Sequence, residues 1–244
     1  GFPFGDEPSD ARRLVVLSPF VLDKTEVTAG AIRPWYPSHE NELMPWSGKL
    51  EGADWEDYCT YAGPNDALPI NCIIWGAARQ YCLDRGADLP SEAQSEYAMS
   101  GLGRWAFPWG SDPAGCDDVV FARGGFGFYE NFYAGCRASS SIGGALTAGH
   151  GARDRLDFAE GSALDLAGNV QELTRDHRVG SGNACWPIGL LIDPTCDSAD
   201  SDVPIGVRGG SWLSSAPIPA SLPSRFGAMD ASPEVGFRCA RPGE

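Results

Sequence analysis

Three serines, Ser211, Ser214 and Ser215, stand within the stretch GVRGGSWLSSAPIP, just after a glycine pair and on either side of Trp212. A serine hydroxyl becomes a nucleophile only with a base in hydrogen-bond reach. The chain has three histidines, His39, His150 and His177, all far from these serines in sequence, and no GxSxG elbow. A hydrolase triad is therefore not indicated. A second constellation lies in AGNVQE, where Asn169 and Glu172 supply an amide oxygen and a carboxylate around the backbone carbonyl of Val170. Oxygen donors at flexible spacing suit calcium. The same residues also suit a turn, with Asn169 as its cap and Glu172 accepting backbone hydrogen bonds. The acidic run DPTCDSADSD, Asp193 to Asp202, lacks the glycine and terminal glutamate of an EF-hand loop and reads as a solvated face.

The elements that must position these residues are short. The chain carries 31 glycines, 19 prolines and 8 tryptophans, so turns, short strands and irregular loops should dominate. Two helices stand out. WGAARQYCLDRG, Trp75 to Gly86, places Trp75, Ala78, Cys82 and Leu83 near one face and ends at a glycine suited to a C-cap. In LPSEAQSEYAMSG, Ser91 followed by Gln94 makes a capping box. LPINCII reads as a short strand, and FVLDKTEVTAGAI as a strand that turns at Gly30. Residues 104–163 should be built of loops. No repeat or linker divides the chain, so residues 1–244 are read as one domain.

At 244 residues and 43% apolar composition the chain can bury a sizeable core. A net charge of −15 argues against nucleic acid and against anionic membrane surfaces as partners. No apolar stretch is long enough to span a bilayer, and the first residues lack a basic start with an apolar run, which points to a soluble and already processed chain. Eight cysteines without a CxxC pair point to four disulfides in a secreted protein.

The blocks FVLDKTEVT, LPINCIIWGAARQYCLDRGADLPSEAQSEYA, FPWG, DLAGNVQELTRD, VRGGSW and VGFRCAR follow one another between Phe20 and Arg241. In this order they resemble the formylglycine-generating enzyme family, the sulfatase-modifying-factor domain. The resemblance implies an α+β fold: one irregular, disulfide-rich domain of C-type-lectin-like topology with little regular secondary structure. It departs from the family at Ser95, Gln171 and Leu173, where tryptophan is usual.

In the oxygen-using members a cysteine pair after the GGSW turn binds Cu(I), a soft ion that prefers thiolates. The matching positions here are Ser214 and Pro219. A hydroxyl is a poor Cu(I) ligand and proline offers none, so no copper is expected and the formylglycine-generating reaction is not expected. The ergothioneine-pathway branch uses iron held in an added helical domain that this chain lacks. A pigment-maturation branch without the cysteine pair keeps a divergent oxidoreductase as the alternative reading.

The resemblance also extends to the variable proteins of diversity-generating retroelements, which display hypervariable residues between RGGSW and GFR. That segment is here Leu213 to Ala231, with Arg225, Phe226, Met229 and Asp230 as its most informative side chains. The favoured reading is thus a non-catalytic secreted, periplasmic or cell-surface protein for binding or structure. Its candidate ligand residues are Trp212, Ser214, Ser215, Arg225 and Phe226, its partner an unknown protein or glycan, with self-assembly as a further use. The family pairs the cysteines matching Cys82 and Cys239. For the rest, neighbours give Cys59 with Cys72, Cys116 with Cys136 and Cys185 with Cys196. Family members bind calcium at the block holding Asn169, Val170 and Glu172, so structural calcium is expected.

Overall fold

Two helices lie against one mixed sheet in the computed structural model of the chain, which describes residues 2–4, 13–38, 58–124, 135–136, 143–159, 161–180, 183–198, 203–222, 224–227 and 230–243. In chain order the elements are β1 (Phe2–Phe4), β2 (Arg13–Val16), β3 (Phe20–Leu22), α1 (Ala29–Ile32), α2 (Trp75–Asp84), α3 (Glu92–Met99), β4 (Arg155–Phe158), β5 (Gly161–Leu164), β6 (Gln171–His177), β7 (Leu190–Ile192), β8 (Ile205–Arg208), β9 (Ser224–Phe226), β10 (Val235–Gly236) and β11 (Ala240–Pro242). The central sheet runs β10-β6-β8-β9, parallel at β10/β6 and antiparallel elsewhere. A second sheet runs β1-β2-β7, and β11 pairs with β3, joining the two ends of the chain.

Local sequence explains both main helices. The Ser91 hydroxyl accepts from Gln94 N at 3.1 Å while Gln94 Oε1 accepts from Ser91 N at 2.9 Å, the reciprocal capping box. α2 stops where Gly86 adopts φ +69°, and Ala87 N then bonds back to Cys82 O. The buried face of α2 is Ala77, Ala78, Tyr81 and Cys82. Leu83, expected on that face, is 47% exposed, because Tyr81 takes the inward position against Phe237. Two further expectations change. LPINCII forms no strand: Cys72 takes φ +53° and its N–H bonds to Ser232 O, so these residues thread between segments. Gly30 lies inside α1, capped by Thr28, where a Cβ would stand 2.7 Å from Asp66 Cβ.

The strands of the central sheet have unlike faces. Leu173, Ile205 and Val207 join the apolar core with Ile70, Ile73, Ala77 and Phe237. The other face is polar, buried and covered by α3. Arg208 there donates to Glu92 Oε1 at 3.2 Å and to Glu96 Oε2 at 3.0 Å. Asp176 accepts from Glu92 N at the start of α3 and from Cys196 N, both at 2.6 Å. Four disulfides tie the loops: Cys59–Cys72, Cys82–Cys239, Cys116–Cys136 and Cys185–Cys196.

Burial pushes the Asp176 carboxyl up to about 7, helped by repulsion from Glu92 and opposed by its two N–H donors. The folded state thus holds a proton that the unfolded chain releases near the ordinary carboxylate value of 3.8. Its stabilisation is complete below that value and is lost as pH rises through about 7. Between about pH 5 and pH 7 this group alone should lower stability by about 2 kcal/mol. Urea unfolding across that range should show a flatter slope for Asp176→Asn than for the parent; equal slopes would contradict the assignment.

Candidate functional site

The loop that leaves β8 is held against the turn before β6 by close backbone approach. Gly209 adopts φ +79°, and a Cβ on Gly210 would lie 2.7 Å from Ala167 O. Two glycines at this point are therefore a steric requirement. Arg208 anchors the base of the loop, and its Nη1 also donates to Ala220 O at 2.8 Å. The chain returns through β9, whose register with β8 sets Ile205 opposite Phe226 and Val207 opposite Ser224.

Trp212 does not face a ligand. It is fully buried, stacks on Tyr58 at 4.8 Å between ring centroids, and donates its Nε1–H to Pro233 O at 2.9 Å. Its backbone N–H bonds Asn169 O and its carbonyl accepts from Arg123 N. The expected ligand role of Trp212 is thus corrected: it pins the loop to the body. Ser214 is half-buried just beyond it, while Ser215 and Ala216 are exposed. Pro219 is half-buried and its carbonyl accepts from Leu222 N. Arg225 lies on β9 opposite Gly206. The side chains of Arg225 and Phe226 lie outside the described residues, as do His39 and Met229.

The hydroxyls form a short chain. Ser214 Oγ accepts from Ser211 N at 2.9 Å and stands 3.4 Å from Ser211 Oγ, which donates to Glu234 Oε2 at 2.7 Å. Burial raises the Glu234 carboxyl above its ordinary value, and the Ser211 hydrogen bond partly offsets this. Glu234 had no motif to announce it; it reaches Ser211 only because β10 lies beside β6. Neither described histidine bonds to these serines. His177 accepts from Ser198 N through Nδ1 and lies against Trp75, and His150 is exposed.

The calcium ligand set does not fit. Both Glu172 oxygens accept from the buried Arg238 guanidinium at 2.5–2.8 Å. A cation beside them would face that guanidinium directly. Asn169, at φ +68°, accepts from Leu146 N through Oδ1 and donates to Glu26 Oε1 and Leu146 O. These are the turn-capping roles. Among the described residues no group of three or more His, Cys, Asp or Glu is arranged to hold a metal ion. All eight cysteines are in disulfides, so no thiol is left as a soft-metal ligand.

Sparse regular structure, four disulfides and a central sheet with a long β8–β9 loop define an α+β domain of C-type-lectin-like topology. Residues 2–242 match the family described as the sulfatase-modifying factor enzyme 1-like domain, and the chain belongs to that family. It is 27% identical to the inactive C-alpha-formylglycine-generating enzyme 2 of Bos taurus over 82% of this chain and 60% of that protein. It is 24% identical to the formylglycine-generating enzyme of Thermomonospora curvata over 80% of this chain and 64% of the other. The chain therefore spans about 60% of the length of these relatives. Among solved structures it is similar to Treponema denticola variable protein 1, with a TM-score of 0.65, 16% identity and coverage of 99% and 91% of the two chains. It is also similar to PvdO from Pseudomonas aeruginosa, with a TM-score of 0.60, 18% identity and coverage of 92% and 80%. These likenesses fix the fold. A family that includes inactive members is compatible with a non-catalytic role.

Proposed function

We propose that the protein is a non-catalytic binding or structural protein, secreted, periplasmic or on the cell surface, that recognises a protein or glycan with the β8–β9 loop. The observation that carries this reading is the state of the sulfur atoms: every cysteine is spent in a disulfide, and the turn that follows β8 offers hydroxyls and proline instead. Soft copper has no thiolate to bind. Ser214 Oγ is held by Ser211 N–H with no described histidine beside it, and Glu234 bonds Ser211 and not Ser214, so no base among the described residues touches its hydroxyl directly. The loop is pinned at Trp212 and stiffened by Pro217 and Pro219, so little ordering entropy is lost when it meets a partner. Eight cysteines in four bridges suit an oxidising compartment. Among the described residues no helix is long and apolar enough to cross a membrane.

The test has two arms on the disulfide-intact protein. Oxygen uptake is followed with copper(I) and a cysteine-containing sulfatase-type peptide, and a glycan array is probed with the parent and with a Ser215→Arg/Ser221→Arg variant. No peptide-dependent uptake, together with array binding that the variant loses, is the expected result. Peptide-dependent uptake would establish the divergent oxidoreductase instead.

A further inference from the structure

A cavity of about 900 Å³ lies between the chain from Val15 to Lys24, the C-terminal end of α3 and the β4–β5 hairpin. Its volume lies within the range of small-molecule sites. Among the described residues none of the β8–β9 loop lines it, although Ala220 packs behind Leu22 and Leu102.

The wall is apolar and in part aromatic. Phe20 and Tyr97 meet edge to face at 6.5 Å, and Ala98, Leu102 and Phe158 line the wall with them. Val21 and Phe158 are 44% and 50% exposed there, so apolar surface remains in water that a ligand's body would cover.

The charge is the reverse of the molecule's. In a chain with 33 acidic and 18 basic residues, the described lining of this cavity holds Lys24 and Arg104 and no carboxylate. Neither cation is paired with a carboxylate among the described residues. Among the described residues, the aspartates bonded to lining serines, Asp157 and Asp193, are already engaged. Asp157 accepts from Ser162 Oγ and from Arg155, and Asp193 accepts from Ser18 N and Ser18 Oγ. Asp23, beside Lys24 in sequence, faces Arg85 and Cys239 N.

We infer that this cavity binds a small amphipathic organic anion, its apolar body against Phe20, Tyr97 and Leu102 and its head group drawn by Lys24 and Arg104. Lys24 and Arg104 are both exposed, so they would attract an anionic head group and repel a cationic one. The net charge of −15 disfavours approach to an anionic bilayer, so the ligand is taken from solution as a monomer. This site is independent of the loop reading above, and either can fail alone.

The test is fluorescence titration of the intact chain with 8-anilinonaphthalene-1-sulfonate and with N-phenyl-1-naphthylamine, which has the same body and no charge. Saturable binding of one sulfonate per chain is expected. Lys24→Gln/Arg104→Gln should weaken it roughly tenfold or more, while binding of the neutral probe and the melting temperature stay unchanged. Laurate below its micelle concentration should displace the sulfonate, and 1-dodecanol should do so far less well. Sulfonate binding indifferent to the double substitution would overturn the inference. Equal affinity for the charged and neutral probes would also overturn it. Sedimentation with anionic vesicles that depends on Lys24 and Arg104 would replace the free ligand with a lipid.

Discussion

Replacing Cys82 and Cys239 together by alanine is expected to cost about 5 kcal/mol of folding stability in the chain-entropy account of cross-links. The bridge spans 157 residues of sequence, against 13, 20 and 11 for the other three. Each of those closes a local loop worth about 3 kcal/mol on the same account. The long bridge also fastens α2 to the segment that enters β11, and β11 is the partner of β3. Asp23 N bonds Cys239 O at 2.9 Å, so the chain around the bridge is shared by both ends of the molecule. Both cysteines are buried, and alanine leaves a small void at each. Denaturant unfolding should show the midpoint falling, and the melting temperature should drop by about 10–20 °C for a domain of this size. Cys185→Ala/Cys196→Ala should cost clearly less. If the two pairs prove equal, loop closure is not what the long bridge contributes.

The contrast between what could and could not be read ahead of the structure follows the range of the interactions. α3 was legible because Ser91 and Gln94 satisfy each other's backbone groups three residues apart. α2 was legible for the same reason at its end, where Gly86 alone supplies the left-handed turn. The α+β class and lectin-like topology were legible as a resemblance, carried by short blocks whose spacing no local rule explains. LPINCII misled because its apolar alternation belongs to a threading segment, fixed by Cys59 and by Ser232 O from far along the chain.

Trp212 misled in a similar way. An aromatic after a glycine pair suits a displayed loop, but Tyr58, Asn169 and Pro233 arrive from three distant segments and enclose it. Nothing within several residues of Trp212 encodes them. The calcium set failed for the same reason. Asn169 and Glu172 have the right atoms at the right spacing, and the group that claims Glu172 lies 66 residues later. Glu234 at Ser211 was unreadable because their contact exists only through the parallel pairing of β10 with β6.

That claim on Glu172 underlies the other large effect, for Arg238→Met should destabilise the fold by about 3–5 kcal/mol. Arg238 is fully buried. Its Nε and Nη2 donate to Glu172, its Nη2 also to Leu164 O at 2.7 Å and Asp165 O at 3.2 Å, and its Nη1 to Asp23 O at 3.1 Å. One side chain thereby joins β6, the turn after β5 and the chain beyond β3. Methionine keeps much of the volume and leaves a buried carboxylate and several carbonyls without their donor. The electrostatic cost is sharper because the site is acidic. Glu26, Asp154, Asp165 and Glu172 are all pushed up by burial, and Arg238 opposes this at all four, with His150 adding to it at Asp165. Without it their folded-state values rise further above the unfolded ones, so the fold binds protons that the unfolded chain releases. The variant's stability should then be greatest in acid and fall as pH rises, and the gap to the parent should be widest near neutrality. Adding Glu172→Gln removes the stranded charge and should recover a large part of the loss, a coupling that a double-mutant cycle in urea measures directly. A double variant no more stable than Arg238→Met alone would show that the carbonyl contacts, and not the ion pair, are what Arg238 supplies.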